Sequence, residues 1–178
     1  MDAMTWLILL VIAVTAVAVL YFIKSEKKDI TMAGNPTNNP VPGNAPLNPE
    51  ALRLKLQAYE RLTILCERIG LSNLITRFNQ DGFSCRQLQA AMTDAIKTEY
   101  EYNVSQQIYV TPQIWEAITN LKEQNIFIVN QIAAALPQDA TARDLSKAIV
   151  QFLDTDKNAS LQSIVMQAIG HEAKQLMQ

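Results

Sequence analysis

The sequence has few histidines, cysteines and glycines, and each shortage excludes a class of site. One histidine (His171) and two cysteines (Cys66 and Cys85), 19 residues apart and without a CxxC pair, are too few ligands for a zinc cluster. The five glycines form no phosphate-binding loop, and no G-x-S-x-G elbow is present. We therefore predict two small thiols that are buried or half-buried, no catalytic residue, no metal ion and no cofactor.

An excess of positive charge is also missing. The chain has 15 Lys and Arg against 17 Asp and Glu, and from Asn48 onward the numbers are 12 and 14. Nucleic-acid-binding domains carry a basic patch that attracts phosphates. We therefore predict that no nucleic acid is a partner.

What the sequence does have is one long apolar run, which predicts a transmembrane anchor at residues 1–24. Residues 4–23 contain no charge, and a helix of 20 residues at about 1.5 Å per residue spans roughly 30 Å of hydrocarbon. Trp6 lies near one end and Tyr21 and Phe22 near the other, where aromatic residues favour the membrane interface. The lipid bilayer is therefore a predicted partner through residues 4–23.

The charges beside this run predict its orientation. Lys24, Lys27 and Lys28 follow it, whereas no Lys or Arg precedes it, and positive charge favours the cytoplasmic side. We predict a single-pass protein of the inner (cytoplasmic) membrane, with the N-terminus outside and the C-terminal domain in the cytoplasm. A cleaved signal peptide is the alternative, because Ala16-Val17-Ala18 fits an A-x-A site, but the basic n-region is missing.

A linker rich in proline and asparagine follows at residues 25–47. Four prolines lie in this stretch together with Gly34 and Gly43, a composition that neither sustains a helix nor forms a core. At roughly 5 to 6 Å times the square root of its length, a flexible chain of this size reaches roughly 25 Å. The linker therefore predicts a disordered tether.

The remaining residues, 48–178, predict one compact helical domain, and five signals mark helix starts. Asn48-Pro49-Glu50 and Thr111-Pro112 each combine a cap with proline at the first helical position. Ser84–Gln87 fits a capping box, Thr141–Asp144 opens the fifth helix, and Ser160 is a cap for the last helix. A shorter segment, Ser72–Phe78, predicts one or two helical turns.

Apolar residues recur behind these caps at spacings of three and four, as in amphipathic helices. We expect Gly70 to end the first helix in a left-handed conformation and the third helix to continue to about Gln107. The predicted fold class is all-α, a compact bundle of four long and one or two short helices. The apolar positions include Leu52, Leu56, Tyr59, Leu62, Leu88, Met92, Ile96, Ile118, Ile128, Leu145, Ile149, Val165 and Ile169.

Two segments carry a resemblance to a known family. The stretch from Glu99 to Val110 followed by Trp115, together with Leu56–Leu62, resembles an uncharacterised family of Bacteroidota proteins with one N-terminal membrane helix and a cytoplasmic helical domain. The resemblance implies this topology over nearly the whole chain and supplies no activity. It also implies a histidine where this chain has Tyr102, so a metal or acid–base role at that position is not expected here.

The densest polar cluster lies near the predicted end of the third helix. Glu99, Asn103 and Gln106 fall on one helix face at spacings of four and three, and Gln107 lies beside them. These four residues are the candidate interaction patch. A structural role, in which they tie the helix end and the turn at residues 108–111 to a neighbour, is favoured over a ligand site.

Three functions compete on these observations. The favoured hypothesis is a membrane-tethered module for protein–protein interaction or scaffolding at the cytoplasmic membrane face, with an unidentified protein as partner. The second is a structural subunit that associates with itself. The third is a domain that binds a small ligand or acts as an enzyme through the region Glu99–Gln107.

Overall fold

The computed structural model describes residues 48–78, 82–155 and 161–178, and these residues form an all-α structure. The predicted anchor, the linker and the Ser160 cap lie outside the described residues. Within the described ranges there are six α-helices and no strand. Five of the helices have 14 to 24 residues and one has eight, which is one more long helix than predicted.

The helices follow one another with short connections. They are α1 (Pro49–Ile69), α2 (Leu71–Phe78), α3 (Cys85–Tyr102), α4 (Pro112–Ala135), α5 (Ala142–Thr155) and α6 (Leu161–Gln175). A 3₁₀-helix, Val104–Ile108, lies between α3 and α4.

Helix starts agree with the cap signals. The side chain of Asn48 accepts a hydrogen bond from the backbone N–H of Glu50, and Thr111 accepts one from Ile114. Ser84 and Gln87 form a complete capping box at α3. The described cap predictions are therefore confirmed, because each polar side chain satisfies a backbone donor that the first helical turn leaves free.

The core lies between α3 and the helices around it. α3 packs on α4, α5 and α1, while α6 packs on α1 and α4. The largest fully buried side chains are almost all aliphatic, and they lie on the faces that the apolar spacing predicts. They are Leu62, Leu65, Ile69, Leu74, Leu88, Met92, Ile96, Ile118, Leu121, Leu145, Ile149 and Ile169.

The end of the third helix differs from the prediction. α3 ends at Tyr102, and Asn103 donates from its side chain to the backbone oxygen of Glu99 at 2.8 Å. Asparagine side chains compete in this way with the helical hydrogen bonds of the main chain. The chain continues as a 3₁₀-helix, so the predicted α-helix to Gln107 was wrong.

The end of the first helix also differs. Gly70 has φ −60° and ψ 133°, an extended conformation, so it is not the left-handed stop that we expected. A Cβ at this position would lie 2.6 Å from the side-chain oxygen of Gln162 on α6. The side chain of Asn125, from α4, donates to the backbone oxygen of Ile69 at 2.9 Å and satisfies the helix end. A tertiary contact therefore replaces the local stop.

Candidate functional site

The four residues of the predicted patch do not share a surface. Asn103 and Gln106 are buried, with 5% and 8% of their surface exposed, whereas Gln107 is exposed. Because the α-helix ends at Tyr102, the spacing of four and three no longer places the side chains on one helix face.

Glu99 holds three helices together. Its carboxylate binds the guanidinium of Arg68 on α1, and the Arg77 guanidinium on α2 lies 3.9 Å away. Arg77 also donates to the backbone oxygen of Arg68 at 3.0 Å. The carboxylate of Glu99 therefore contacts side chains from two neighbouring helices.

Aromatic contacts fix the end of α3 on α4. The rings of Tyr100 and Trp115 have centroids 5.0 Å apart, and the Lys122 ammonium lies 4.4 Å from the centroid of Tyr100. The Tyr100 hydroxyl is also 2.9 Å from that of Thr119. Such contacts stabilise a pair of helices by more than the burial of apolar area alone provides. They hold the C-terminal end of α3, from which the 3₁₀-helix continues, against α4.

A second carboxylate, that of Glu172 on α6, lies next to Thr111, just after the 3₁₀-helix. Tyr59 of α1 donates its hydroxyl to Glu172 at 2.8 Å, and Thr111 donates its hydroxyl to the two carboxylate oxygens at 2.8 and 3.0 Å. Thr111 is the N-cap of α4, so the carboxylate lies at the positive end of that helix dipole. We call these three residues the Glu172 cluster.

The cluster changes the acidity of its tyrosine. Burial of the ring and the hydrogen bond to Glu172 raise the pKa of Tyr59, and the charge of Glu172 adds to this effect. The backbone N–H of Thr111 acts in the opposite direction and does not outweigh them. Tyr59 therefore stays protonated at neutral pH and donates to the carboxylate.

A groove of about 330 Å³ opens beside the cluster. Its walls come from α1, from the turn that follows the 3₁₀-helix, and from α6 with the residue after it. The residues that line it are Lys55, Tyr59, Ile108, Tyr109, Val110, Thr111, Glu172, Gln175 and Leu176. The groove therefore brings together segments that are far apart in sequence.

Three large apolar residues of the segment that borders the groove are exposed, and the guanidinium of Arg61 on α1 lies 5.3 Å from the ring centroid of one of them, Tyr102. Tyr102 is 74% exposed, Val104 43% and Ile108 73%. We call these three residues the 102–108 surface. They belong to a run of 14 residues, from Tyr102 to Trp115, that contains no charge. Exposed large apolar side chains mark a binding surface where they form a contiguous patch.

The thiols and the histidine show no site chemistry. Cys66 and Cys85 are free and buried, as predicted, and burial raises the pKa of Cys66 to about 12. His171 is exposed and its ring lies 3.0 Å from the side-chain nitrogen of Gln175. Among the residues that the structure describes, no three His, Cys, Asp or Glu side chains are grouped so that they could hold a metal ion.

Comparison with known proteins gives a family. Residues 2–176 match the model of a family of unknown function, DUF7935. The chain belongs to this family. Comparisons with curated proteins and with solved structures gave no match. Both segments that carried the resemblance lie within the matched range. One of them contains Tyr59, and the other ends at Val110, next to Thr111 of the Glu172 cluster.

Sequence reasoning missed the groove and the Glu172 cluster. Tyr59 was predicted only as part of an apolar stripe and Thr111 only as a cap, and no role was predicted for Glu172. The hydrogen bonds join Glu172 to residues 113 and 61 positions away. One sequence feature pointed to the cluster. The first turn of α4 has no acidic residue, so the positive end of its helix dipole is free to attract a carboxylate from another helix.

The predicted membrane segment has no counterpart in the described ranges. None of the helices in residues 48–78, 82–155 and 161–178 combines the length and the apolar character needed to cross a bilayer. The residues Trp6, Tyr21, Phe22, Lys24, Lys27 and Lys28 lie outside these ranges, so the anchor stays a prediction from the sequence.

Proposed function

We propose that this family member is a single-pass protein of a bacterial inner membrane whose helical domain docks a partner protein at the cytoplasmic face. The 102–108 surface is the docking surface. The observation that carries the proposal is the exposure of Ile108 and Tyr102, at 73% and 74%, in a stretch without charge.

Two further features support the proposal. The uncharged run at residues 4–23, with lysines after it, favours an anchor with its C-terminal side in the cytoplasm. The segment that carries this surface is also held in place by the fold, because the rings of Tyr100 and Trp115 pack together and the Asn103 side chain donates to the backbone oxygen of Glu99 at the end of α3. A docking surface on a fixed base loses little conformational entropy when a partner binds.

Site-specific photo-crosslinking of the full chain tests this function. A benzophenone amino acid replaces Ile108 in one variant and Val150 in another, and both are expressed in cells of the source bacterium. Val150 is the matched control, because it is an exposed aliphatic residue, 46% accessible, on α5. Membranes are washed with carbonate before analysis, so that only inserted protein is retained.

We expect the full chain to stay in the washed membranes and the Ile108 variant to give a discrete protein adduct that the Val150 variant lacks. Mass spectrometry of the adduct then identifies the partner. Release of the chain by carbonate would refute the anchor. Equal adducts at both positions, or no protein adduct at Ile108, would refute the docking surface.

A further inference from the structure

We propose that the groove beside the Glu172 cluster receives an acidic, amphipathic segment of the partner, with a carboxylate of that segment bound to Lys55 and its apolar side chains against Ile108 and Val110. The proposal rests on the proposed function and names the chemistry of the partner at the same surface.

Lys55 is a charged residue of the groove, and the ion pairs of the described residues do not include it. It lines the groove from α1 and is half-buried, and no carboxylate oxygen of the described residues forms an ion pair with it. By contrast, Lys122 pairs with Glu123 at 2.7 Å, and Arg53 pairs with Glu50 at 2.9 Å. A partly desolvated ammonium without a counter-ion favours an anionic group from a partner.

The other charged group in the groove, the carboxylate of Glu172, is held by hydrogen bonds within the fold. The two oxygens of Glu172 accept hydrogen bonds from Tyr59 and Thr111, and the carboxylate lies at the N-terminus of α4, where the helix dipole favours negative charge. Glu172 keeps its negative charge, but both of its oxygens are engaged by hydroxyl donors of the fold, whereas no carboxylate of the described residues pairs with Lys55.

The remaining walls are mostly apolar, with Gln175 and the ring of Tyr109 beside the aliphatic residues. Ile108, Val110 and Leu176 line the groove, and the run without charge from Tyr102 to Trp115 adds no carboxylate that would repel an acidic segment. The volume of about 330 Å³ lies near the lower limit of the 300–1,000 Å³ that is typical of ligand sites. Such a groove takes a few side chains of a segment, while the exposed 102–108 surface carries the rest of the contact.

The crosslinking experiment above, extended by charge variants at one position, tests the chemistry. The Ile108 crosslinker is combined with Lys55→Glu, with Lys55→Arg, and with Lys174→Glu as the matched control. Lys174 is an exposed lysine on the same helix as Glu172 and does not line the groove. We expect Lys55→Glu to lower the yield of the protein adduct about tenfold, since like charges placed together at an interface weaken binding.

Lys55→Arg and Lys174→Glu should keep the adduct at the wild-type yield. Full yield in Lys55→Glu would refute the role of Lys55 and leave the docking surface intact. Loss of the adduct in every variant, including the parent, would refute the proposed function itself. An adduct with only lipid, or with only a second copy of the chain, would refute an acidic partner segment.

Probe peptides give a second measurement that needs no altered groove. Two fluorescent peptides of equal length, one of Leu and Glu and one of Leu and Gln, are titrated against the full wild-type chain in nanodiscs. We expect the Leu/Glu peptide to bind more tightly and its advantage to fall as salt is added, because salt screens the charge of Lys55. Equal binding of the two peptides would refute the inference.

Discussion

At the scale of single residues, Glu172 joins three helices through one carboxylate. Tyr59 approaches it from α1 and Thr111 from the start of α4, each with a hydroxyl 2.8 Å away. Thr111 uses the same hydroxyl oxygen to accept from the backbone N–H of Ile114, at 3.3 Å. The Glu172 cluster thus links a helix cap to a tertiary hydrogen bond, and it forms one wall of the groove.

Tyr59→Phe tests the strength of this link. The substitution keeps the buried ring, of which 4% is exposed, and removes one of the hydrogen-bond donors of a half-buried carboxylate. Since hydrogen bonds to charged groups contribute about 1.5–3 kcal/mol, we expect the free energy of unfolding to fall by roughly that amount.

Urea unfolding followed by circular dichroism measures this change. Tyr109→Phe is the matched control, because Tyr109 also lines the groove and its hydroxyl forms no hydrogen bond among the described residues. An equal loss of stability in both variants would show that the Glu172 bond adds nothing.

At the scale of elements, the starts of α3 and α5 lie side by side. Ser84 and Thr141 form an isolated antiparallel bridge, and the backbone N–H of Cys85 donates to Ala140 at 2.9 Å. Each helix also has a capping box, Ser84 with Gln87 and Thr141 with Asp144. Two local signals are therefore joined by a tertiary contact that neither of them predicts.

The second of these boxes depends on pH. Hydrogen bonds from the side chain and the backbone of Thr141 hold the pKa of Asp144 below its usual value of 3.8. Because the pKa is lower in the folded protein than in the unfolded chain, the ionised carboxylate stabilises the folded state fully at pH values above the usual pKa of 3.8. This contribution is lost as pH falls through the lower pKa of the folded protein.

Ser84→Ala should remove the cap of α3. The hydroxyl accepts from the backbone N–H of Gln87 at 3.3 Å, and loss of such a cap costs about 1 kcal/mol of stability. Thr98→Ala is the control, because Thr98 is an exposed hydroxyl residue inside the same helix.

Thermal unfolding of the two variants separates the cap from a general effect of losing a hydroxyl. We expect a lower midpoint for Ser84→Ala and an unchanged or higher one for Thr98→Ala, since alanine is the best helix former. A midpoint of Ser84→Ala equal to that of the wild type would contradict the role of the cap.

Helix starts and helix ends differed in how far they could be predicted. Starts are set by side chains within three residues, as Asn48, Ser84 and Thr111 show. The end of α3 also follows from a local bond, from the Asn103 side chain to the backbone oxygen of Glu99, whereas the end of α1 at Gly70 is set by a tertiary contact with Asn125 of α4. A sequence pattern records the first kind of contact and not the second.

At the scale of the whole molecule, the packing of the bundle encloses both thiols. Cys66 on α1 is fully buried, and Cys85 on α3 is 4% exposed. Burial is the largest cause of the raised pKa of each thiol, and the charge of Glu67 adds to it at Cys66. Because the thiolate is the reactive form, both residues should be inert in the folded protein.

Thiol labelling therefore reports global unfolding. With its pKa raised from 9.0 to about 12, Cys66 has about a thousandfold less thiolate at pH 8 than an unshifted thiol, since each pKa unit is a factor of ten. We expect Ellman's reagent to label neither cysteine of the native protein and both in urea, with rates that follow the loss of circular dichroism. Rapid labelling before unfolding would show that the bundle opens locally.

The sequence alone determined the all-α class, the helix starts of the described domain and the burial of its apolar faces, because caps and helical spacing act within a few residues. The tertiary structure alone decided the site. It buried Asn103 and Gln106, and it brought Tyr59, Thr111 and Glu172 together from three elements. These contacts join residues 61 and 113 positions apart, and only the packing of the helices makes them neighbours.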